Sequence, residues 1–293
     1  VIQDVDALVE SMGRVRGHIE TLIFGQTRVV DQVLITLLSG GHVLLVGVPG
    51  LAKTRLTEML GTILGLSEQR VQFTPDLMPA DILGSEVLEE TETGRRSFRF
   101  IEGPVFCQLL MADEINRASP RTQSALLQAM QEHKISVAGR SHALPHPFHV
   151  IATQNPIEQE GIYPLPEAQL DRFMFHIKVD YPDSGEEIEI MKMATGEAPE
   201  KPNSVLNAQQ IIDLQGIVRK MPVSDHVFEY ARQLVRVTRV TTDEALPLCK
   251  KWLSWGAGPR GALNMIMAAK AYAMIQGRVH VATEDIKVMA APV

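Results

Sequence analysis

Cysteine is scarce in this sequence of 293 residues. Cys107 and Cys249 are its two cysteines, and they lie far apart without a CxxC pair. The sequence therefore predicts neither a disulfide framework nor a zinc ribbon. Because unpaired cysteines suit a reducing compartment, we expect a cytoplasmic location.

Long apolar runs and an excess of basic residues are also missing. No run approaches the ~18 apolar residues of a membrane span, and acidic residues near the start do not fit a signal peptide. Lys plus Arg is 28 against 35 for Asp plus Glu, a net charge of −7. That balance argues against a broad surface for nucleic acid or anionic lipid. We expect no membrane span and no nucleic-acid partner.

Short apolar runs recur along the first part of the chain, separated by helical patterns or longer excursions. Strands that alternate with helices indicate a parallel sheet with right-handed crossovers. The first run is bounded by turn residues and suits a strand that is buried on both faces. The predicted strands are 43–46, 70–73, 108–112, 149–153 and 174–179.

Two segments break this alternation and are predicted to be β-hairpins. Residues 86–101 place Gly94 at a turn, with acidic residues before it and arginines after it, so that opposite charges across the strands would fix the register. Residues 134–144 place Gly139 at a second turn.

The character of the sequence changes at Tyr181-Pro182. The segment 182–207 contains three prolines and several acidic residues, which is typical of a junction. Beyond it the sequence predicts helices only, starting near Asn207, near Ser224, at Pro259 and at Thr283 as an N-cap. We therefore predict an α/β domain over residues 1–182 and a small helical domain over residues 183–293.

A glycine-rich loop follows the first predicted strand and precedes a helix. It matches a phosphate-binding loop except that Ala52 replaces the second glycine. In such a loop backbone N–H groups hold phosphate oxygens, Lys53 reaches the β- and γ-phosphates, and Thr54 binds Mg²⁺. The alternative is a Gly-Pro turn before Lys-Thr, and the flanking strand and helix argue against it. The loop is Gly47-Val48-Pro49-Gly50-Leu51-Ala52-Lys53-Thr54.

Polar side chains also end two later strands. Asp113 and Glu114 follow the third strand, where the first carboxylate would hold Mg²⁺ and the second would orient the attacking water. Asn155 follows the fourth strand and would hold the γ-phosphate or the water if the strands are neighbours. Each pattern alone is more often an ordinary turn, but a preceding phosphate loop favours function.

Three arginines are candidates from their positions. Arg172 ends a short helix, and Arg260 lies in the first turn of another, where a cation opposes the helix dipole unless an anion is near. A surface position or a salt bridge is the alternative for both. Arg117 lies close to the paired carboxylates, and we leave open whether it forms an ordinary salt bridge, holds them inactive or contacts another subunit.

These motifs, in this order, resemble those of AAA+ ATPases, and their residue sequences are similar to those of the MoxR family. The resemblance runs from about residue 25 to the end. It implies a three-layer αβα sheet of five parallel strands in the order 5-1-4-3-2 with a C-terminal helical lid, and ATP and Mg²⁺ as cofactors. The segments that carry it are 47–54, 73–81, 113–120, 152–156 and 165–173.

The resemblance also implies roles for individual residues. Glu114 would activate the water, Asn155 would be the first sensor, and Arg172 would be an arginine finger acting on the neighbouring subunit's ATP. Arg260 would be a second sensor on the lid, acting within or between subunits. The metal ligands would be Thr54 and Asp113. The nucleotide-binding residues would be Gly47, Val48, Pro49, Gly50, Leu51, Ala52, Lys53, Thr54 and Arg55, with Phe24, Gly25 and Gln26 near adenine.

The function implied is an ATP-driven, chaperone-like remodeller that forms a ring, expected to be hexameric. Its expected partner is a protein with a von Willebrand factor A domain, in metal insertion or complex maturation. A magnesium-chelatase-like motor subunit, a DNA-dependent helicase-type ATPase and a nucleotide-gated binding module are the alternatives. The acidic balance argues against the helicase.

Overall fold

The computed structural model describes residues 2–20, 26–48, 53–90, 96–157, 161–196 and 202–293. Its strands in chain order are β1 Val43–Val46, β2 Glu68–Gln72, β3 Gly84–Glu90, β4 Arg96–Glu102, β5 Leu109–Asp113, β6 Lys134–Val137, β7 Arg140–Ala143, β8 His149–Gln154 and β9 Phe175–Lys178. Its helices are α1 Ile2–Glu20, α2 Thr27–Leu38, α3 Lys53–Ile63, α4 Pro79–Leu83, α5 Pro120–Glu132, α6 Glu167–Leu170, α7 Ser184–Thr195, α8 Ala208–Lys220, α9 Asp225–Arg236, α10 Pro247–Trp252, α11 Pro259–Ile275 and α12 Thr283–Met289.

A parallel sheet of five strands forms the centre of the fold, in the order β2-β5-β8-β1-β9. With these strands counted along the chain, the order is 5-1-4-3-2, as predicted. Each predicted apolar run overlaps its strand. Because β1, β5 and β8 are parallel neighbours, their carboxyl ends meet at one edge of the sheet.

The two faces of the sheet are covered by different helices, because alternate residues of a strand point to opposite faces. Val43 and Leu45 pack in a cluster with α1, α2 and α3, whereas Leu44 packs in a second cluster with α4 and α5. The first cluster continues without a break into α8, α9, α11 and α12. The domain boundary at residue 182 therefore stays a prediction.

Both predicted hairpins are present as antiparallel pairs. In the first, Arg96 pairs with Glu90 at 3.3 Å and Arg99 with Glu89 at 3.2 Å, so the expected opposite charges do face each other. Its turn at Gly94 lies outside the described residues. In the second hairpin, Gly139 has a φ of 78°, which the two-residue turn between β6 and β7 requires.

The helical region differs from the sequence prediction in three places. The predicted junction contains α7, begun by Asp183, whose carboxylate accepts from the backbone N–H groups of Gly185 and Glu186. α10 was not predicted, since it is short and buries none of its residues. Thr283 is not the N-cap of α12. The N-cap is Ala282, whose backbone is extended, and Thr283 is the first residue of the helix.

The helix α1 ends at Glu20 and packs in the first cluster through Met12, Val15 and Ile19. No helix in the described part of the chain combines the length and the apolar character that crossing a membrane requires.

Candidate functional site

The glycine-rich loop begins where β1 leaves the sheet. The backbone N–H of Gly47 donates to the carbonyl of Gln154 at 3.2 Å, which ties the loop to β8. A Cβ atom on Gly47 would lie 2.5 Å from the carbonyl oxygen of Val179, so the close approach of β9 requires glycine here. Val48 follows it, partly buried. The middle of the predicted loop, residues 49–52, lies outside the described residues.

The far side of the loop is the first turn of α3, which contains Lys53, Thr54 and Arg55. The Lys53 ammonium donates to the carbonyl of Gly47 at 2.5 Å, so the side chain folds back across the loop. Partial burial lowers the pKa of Lys53, while the nearby carboxylates of Asp113 and Glu114 act in the opposite direction. A partly desolvated cation beside a helix N-terminus is a suitable environment for phosphate.

Asp113 connects three elements at the end of β5. One carboxylate oxygen accepts from the Thr153 hydroxyl at 2.5 Å. The other accepts from the Arg70 guanidinium at 2.7 Å and from the Thr54 hydroxyl at 3.5 Å. Asp113 is buried, and the structure brings the two predicted metal ligands together.

Glu114 is held in an uncommon backbone conformation directly after the strand. Its φ of 56° and ψ of 48° lie in the left-handed region, which costs a non-glycine residue roughly 1 kcal/mol. Its N–H donates to the Thr153 hydroxyl at 2.9 Å, and its carboxylate accepts from Gln72 at 2.6 Å and from Arg117 at 2.9 Å. Of the three roles left open for Arg117, the salt bridge is present.

Asn155 lies at the same edge of the sheet but faces another loop. Its side-chain oxygen accepts from the N–H of Ile157 at 3.1 Å, and its carbonyl accepts from the Asn116 amide at 3.4 Å. It is buried. Among the contacts of the described residues, none joins its amide to Asp113 or Glu114.

The sequence did not identify three side chains that touch the paired carboxylates: Arg70, Gln72 and Thr153. Arg70 and Gln72 alternate along β2, which pairs with β5 in the register Gln72 to Asp113. Their spacing of two residues is a signal for one face of a strand, but only the pairing shows which strand they face.

The two remaining predicted arginines occupy a different corner of the molecule. The Arg172 guanidinium donates to the Leu127 carbonyl on α5 at 2.7 Å. Arg260, at the start of α11, pairs with the Asp171 carboxylate at 2.8 Å and with its carbonyl at 3.1 Å. The sequence predicted an anion near Arg260, because a cation in the first turn of a helix opposes the helix dipole. Asp171 is that anion. In the described ranges neither arginine contacts the Lys53 and Asp113 cluster.

The predicted adenine contacts are only partly visible. Phe24 and Gly25 lie outside the described residues, whereas Gln26 is a buried residue that precedes the first turn of α2.

The donor set of the cluster suits Mg²⁺. Asp113 and Thr54 offer hard oxygen ligands, and no group of three or more His, Cys, Asp or Glu converges within the residues that the structure describes. Mg²⁺ is commonly bound by one or two protein oxygens together with water and substrate phosphates rather than by an all-protein cage.

Comparisons with known proteins agree with this arrangement. A model described as ATPase family associated with various cellular activities (AAA) matches residues 42–175, and one described as AAA lid domain matches residues 247–293. The chain is 42% identical to Chaperone MoxR1 of Mycobacterium tuberculosis, over 96% of this chain and 73% of that protein. It is 31% identical to Protein MoxR of Paracoccus denitrificans, over 93% and 84%.

A solved structure is similar over nearly the whole fold. A crystal structure from Cytophaga hutchinsonii, provisionally described as an ATPase, superposes with a TM-score of 0.91 at 35% identity, covering 99% of this chain and 88% of that one. These relatives and the matching family model show that the chain belongs to the MoxR family of AAA+ ATPases, and the strand order of the sheet agrees.

Proposed function

We propose that the chain hydrolyses ATP with Mg²⁺, weakly as a monomer and efficiently when subunits assemble. The observation that carries the proposal is the cluster of Lys53, Thr54, Asp113 and Glu114 at the carboxyl edge of the sheet. Phosphoryl transfer to water requires positioning and neutralisation of charge more than covalent chemistry. The cluster offers both from one rigid edge.

Each residue of the cluster has a separate task. Lys53 would neutralise charge on the β- and γ-phosphates, and Thr54 and Asp113 would hold Mg²⁺. When bound, the ion would add positive charge at the phosphate oxygens. The Glu114 carboxylate would orient the attacking water and draw its proton. Gln72 and Arg117 occupy that carboxylate in the free chain, so it must leave at least one of them to act.

The positions of Arg172 and Arg260 support action between subunits. Arg260 is anchored to Asp171, the residue before Arg172, so the two guanidinium groups lie at one corner. Within the described ranges this corner does not contact the subunit's own cluster. An arginine supplied by a neighbour is worth about 10³–10⁵ in turnover in other nucleotide hydrolases. We therefore propose that both arginines complete the site of the next subunit in a ring, expected to be hexameric.

Mixing two inactive variants tests this arrangement. Glu114→Gln removes the water-orienting carboxylate but keeps the arginines, whereas Arg172→Ala keeps the carboxylate. If the arginine acts between subunits, an equal mixture should recover roughly a quarter of wild-type turnover. This is the frequency at which random assembly places an Arg172→Ala subunit, which keeps Glu114, beside a Glu114→Gln subunit that supplies Arg172. Each variant alone is the control. A mixture that stays as inactive as its components would refute action between subunits.

We further propose that the ATPase remodels protein complexes in the cytoplasm, with a von Willebrand factor A domain protein as partner. The name of the Mycobacterium tuberculosis relative, a chaperone, supports the remodelling role. The partner domain and its role in metal insertion or complex maturation rest on the family resemblance. The free cysteines suit a reducing compartment.

Capture with the Glu114→Gln variant tests the partner. Bound ATP that is not hydrolysed should hold the assembly on its client, so a von Willebrand factor A protein should co-purify in the presence of ATP and not of ADP. Recovery of nucleic acid in place of protein would contradict the proposal.

A further inference from the structure

Both tryptophans of the chain lie in one short segment of the helical region, residues 246–255, whose large apolar side chains are exposed. Trp252 is 71% exposed and Trp255 is 64% exposed, although large aromatic side chains are usually mostly buried. Contiguous apolar surface of this kind marks an interaction site. We call this surface the tryptophan patch; it consists of Leu246, Leu248, Trp252, Leu253 and Trp255.

The tryptophan patch adjoins the corner that holds the two arginines. Ala257 and Gly258, which follow Trp255, line a cleft of about 220 Å³ together with Asp171. Asp171 in turn pairs with Arg260. A surface that continues into this corner would face the same neighbouring subunit. The inference therefore rests on the proposed assembly of the active site between subunits.

The charges beside the tryptophan patch define what it would accept. Lys250 and Lys251 are exposed on α10, and the Lys251 ammonium lies 5.2 Å from the centre of the Trp252 ring. Neither lysine has a carboxylate partner among the described residues. A complementary surface would be apolar in the middle and acidic around it.

α7 of a second copy of the chain has this character. Ile188 is 48% exposed and Met191 is 58% exposed, on a helix that buries none of its described side chains. Glu187 and Glu189 flank them and are exposed. Glu189 pairs with a lysine one turn further along, whereas Glu187 has no basic partner within the described ranges.

α7 is connected through β9 to the start of the phosphate loop, which a neighbour's arginines must approach. It begins shortly after β9, and Val179, just beyond the end of β9, bonds to Val46 and packs on Gly47 at the start of the phosphate loop. If the arginines of one subunit approach the phosphate loop of the next, the tryptophan patch beside those arginines comes close to α7 of that next subunit.

We propose that the tryptophan patch of one subunit packs on α7 of the next subunit. The tryptophans would be covered by Ile188 and Met191, and the two lysines would face Glu187 and Glu189. This contact joins different surfaces on the two partners, so repetition around an axis generates a ring. It also links the helical region of one subunit to the nucleotide loop of another.

The tryptophans themselves report on the contact, because the chain has no others. The Glu114→Gln variant should be titrated with Mg²⁺ and ATP, with assembly followed by sedimentation and tryptophan burial by emission wavelength and acrylamide quenching. We expect a blue-shifted, less quenched emission that tracks assembly. Trp252→Ala should raise the concentration for half assembly about thirtyfold, the effect of an interface hot spot.

Charge reversal tests the pairing with α7. The double change Lys250→Glu and Lys251→Glu should weaken assembly, as should Glu187→Lys and Glu189→Lys. An equal mixture of these two variants should restore the contact at interfaces where the reversed surfaces meet. Lys220→Glu, an exposed lysine at the end of α8, is the matched control and should assemble as the wild type does.

The outcomes separate this contact from the proposed function. Assembly with the tryptophans still exposed to quencher overturns the contact and leaves the shared active site standing, as does charge reversal without effect. A chain that never assembles with ATP overturns both.

Discussion

The Thr153 hydroxyl links Asp113 and Glu114 of the candidate site, and replacing Thr153 with valine should lower both the stability of the fold and the affinity for nucleotide with Mg²⁺. The Thr153 hydroxyl donates to Asp113 at 2.5 Å and accepts from the backbone N–H of Glu114 at 2.9 Å. Thr153 is buried, and valine has nearly the same shape. Thr153→Val therefore removes two hydrogen bonds without opening a cavity.

The magnitude follows from what each bond does. Loss of a hydrogen bond to a carboxylate costs about 1.5–3 kcal/mol, and an unpaired buried N–H costs about 1–3 kcal/mol. Asp113 keeps its contacts with Arg70 and Thr54, which limits the loss. We expect the free energy of unfolding to fall by about 3 kcal/mol. Mg²⁺-dependent nucleotide binding should weaken as well, because the Asp113 carboxylate is no longer fixed.

Urea unfolding of wild type, Thr153→Val and Thr153→Ser measures the effect. The serine variant retains the hydroxyl and is the matched control, so it should lie much closer to wild type. If the free energy of unfolding of the valine variant lies within about 0.5 kcal/mol of wild type, the range of ordinary surface changes, the hydroxyl does not stabilise Asp113 and Glu114.

Three further perturbations have defined outcomes. Gly47→Ala should lower the free energy of unfolding by about 2 kcal/mol, because its Cβ would lie 2.5 Å from the backbone oxygen of Val179. Burial lowers the pKa of His149 to about 4, so the folded state keeps it neutral while the unfolded chain protonates near pH 6.5. As the pH falls from 6.5 to 4, His149 should therefore contribute a loss of about 3 kcal/mol of stability, and protonation should weaken its bond with Gln215. Buried His42, whose pKa is lowered to about 3, adds a further loss over the same range. Arg70→Ala should tighten Mg²⁺ binding about fivefold, as it frees an oxygen of Asp113 from a half-exposed ion pair.

Each of these has its own control. Gly216→Ala places a Cβ where no atom lies within 4 Å, so an equal loss there would remove the steric explanation. His149→Gln should reduce the fall in stability between pH 6.5 and 4 by about 3 kcal/mol, and an unchanged profile would assign the fall to other groups. For Mg²⁺ binding, measured calorimetrically with nucleotide present, Arg96→Ala on the first hairpin should have no effect. Weaker binding in Arg70→Ala would mean that this guanidinium supports the site.

The sequence predicted the centre of the sheet well because β1, β5 and β8 are almost wholly buried and are therefore nearly continuous apolar runs. The boundaries of 43–46 were predicted without error, whereas the run 70–73 began two residues late. The reason is that β2 starts with exposed Glu68 and Gln69, which no apolar pattern marks. α7 was missed for a similar reason, because none of its described side chains is buried and such a helix has no apolar stripe to recognise.

The assignment of site residues stays a prediction, but the geometry distinguishes among them. Thr54 and Asp113 come within hydrogen-bonding distance, because β1, which leads into the loop and α3, and β5 both end at the carboxyl edge of the sheet. Asn155 lies at the expected edge, yet its side chain serves its own turn, and Thr153 of the same motif reaches the carboxylates instead.

The sequence by itself determined which chemistry collects at the carboxyl edge of the sheet. It places polar residues directly after buried strands, and parallel strands end at a common edge whatever their order. Only the tertiary structure decided which side chains hold one another there. Arg70 and Thr153 meet at Asp113, and Arg260 meets Asp171, because strand register and helix packing join residues that lie 40 to 89 positions apart in the chain. Contacts across such distances depend on the whole packed core, and no local pattern encodes them.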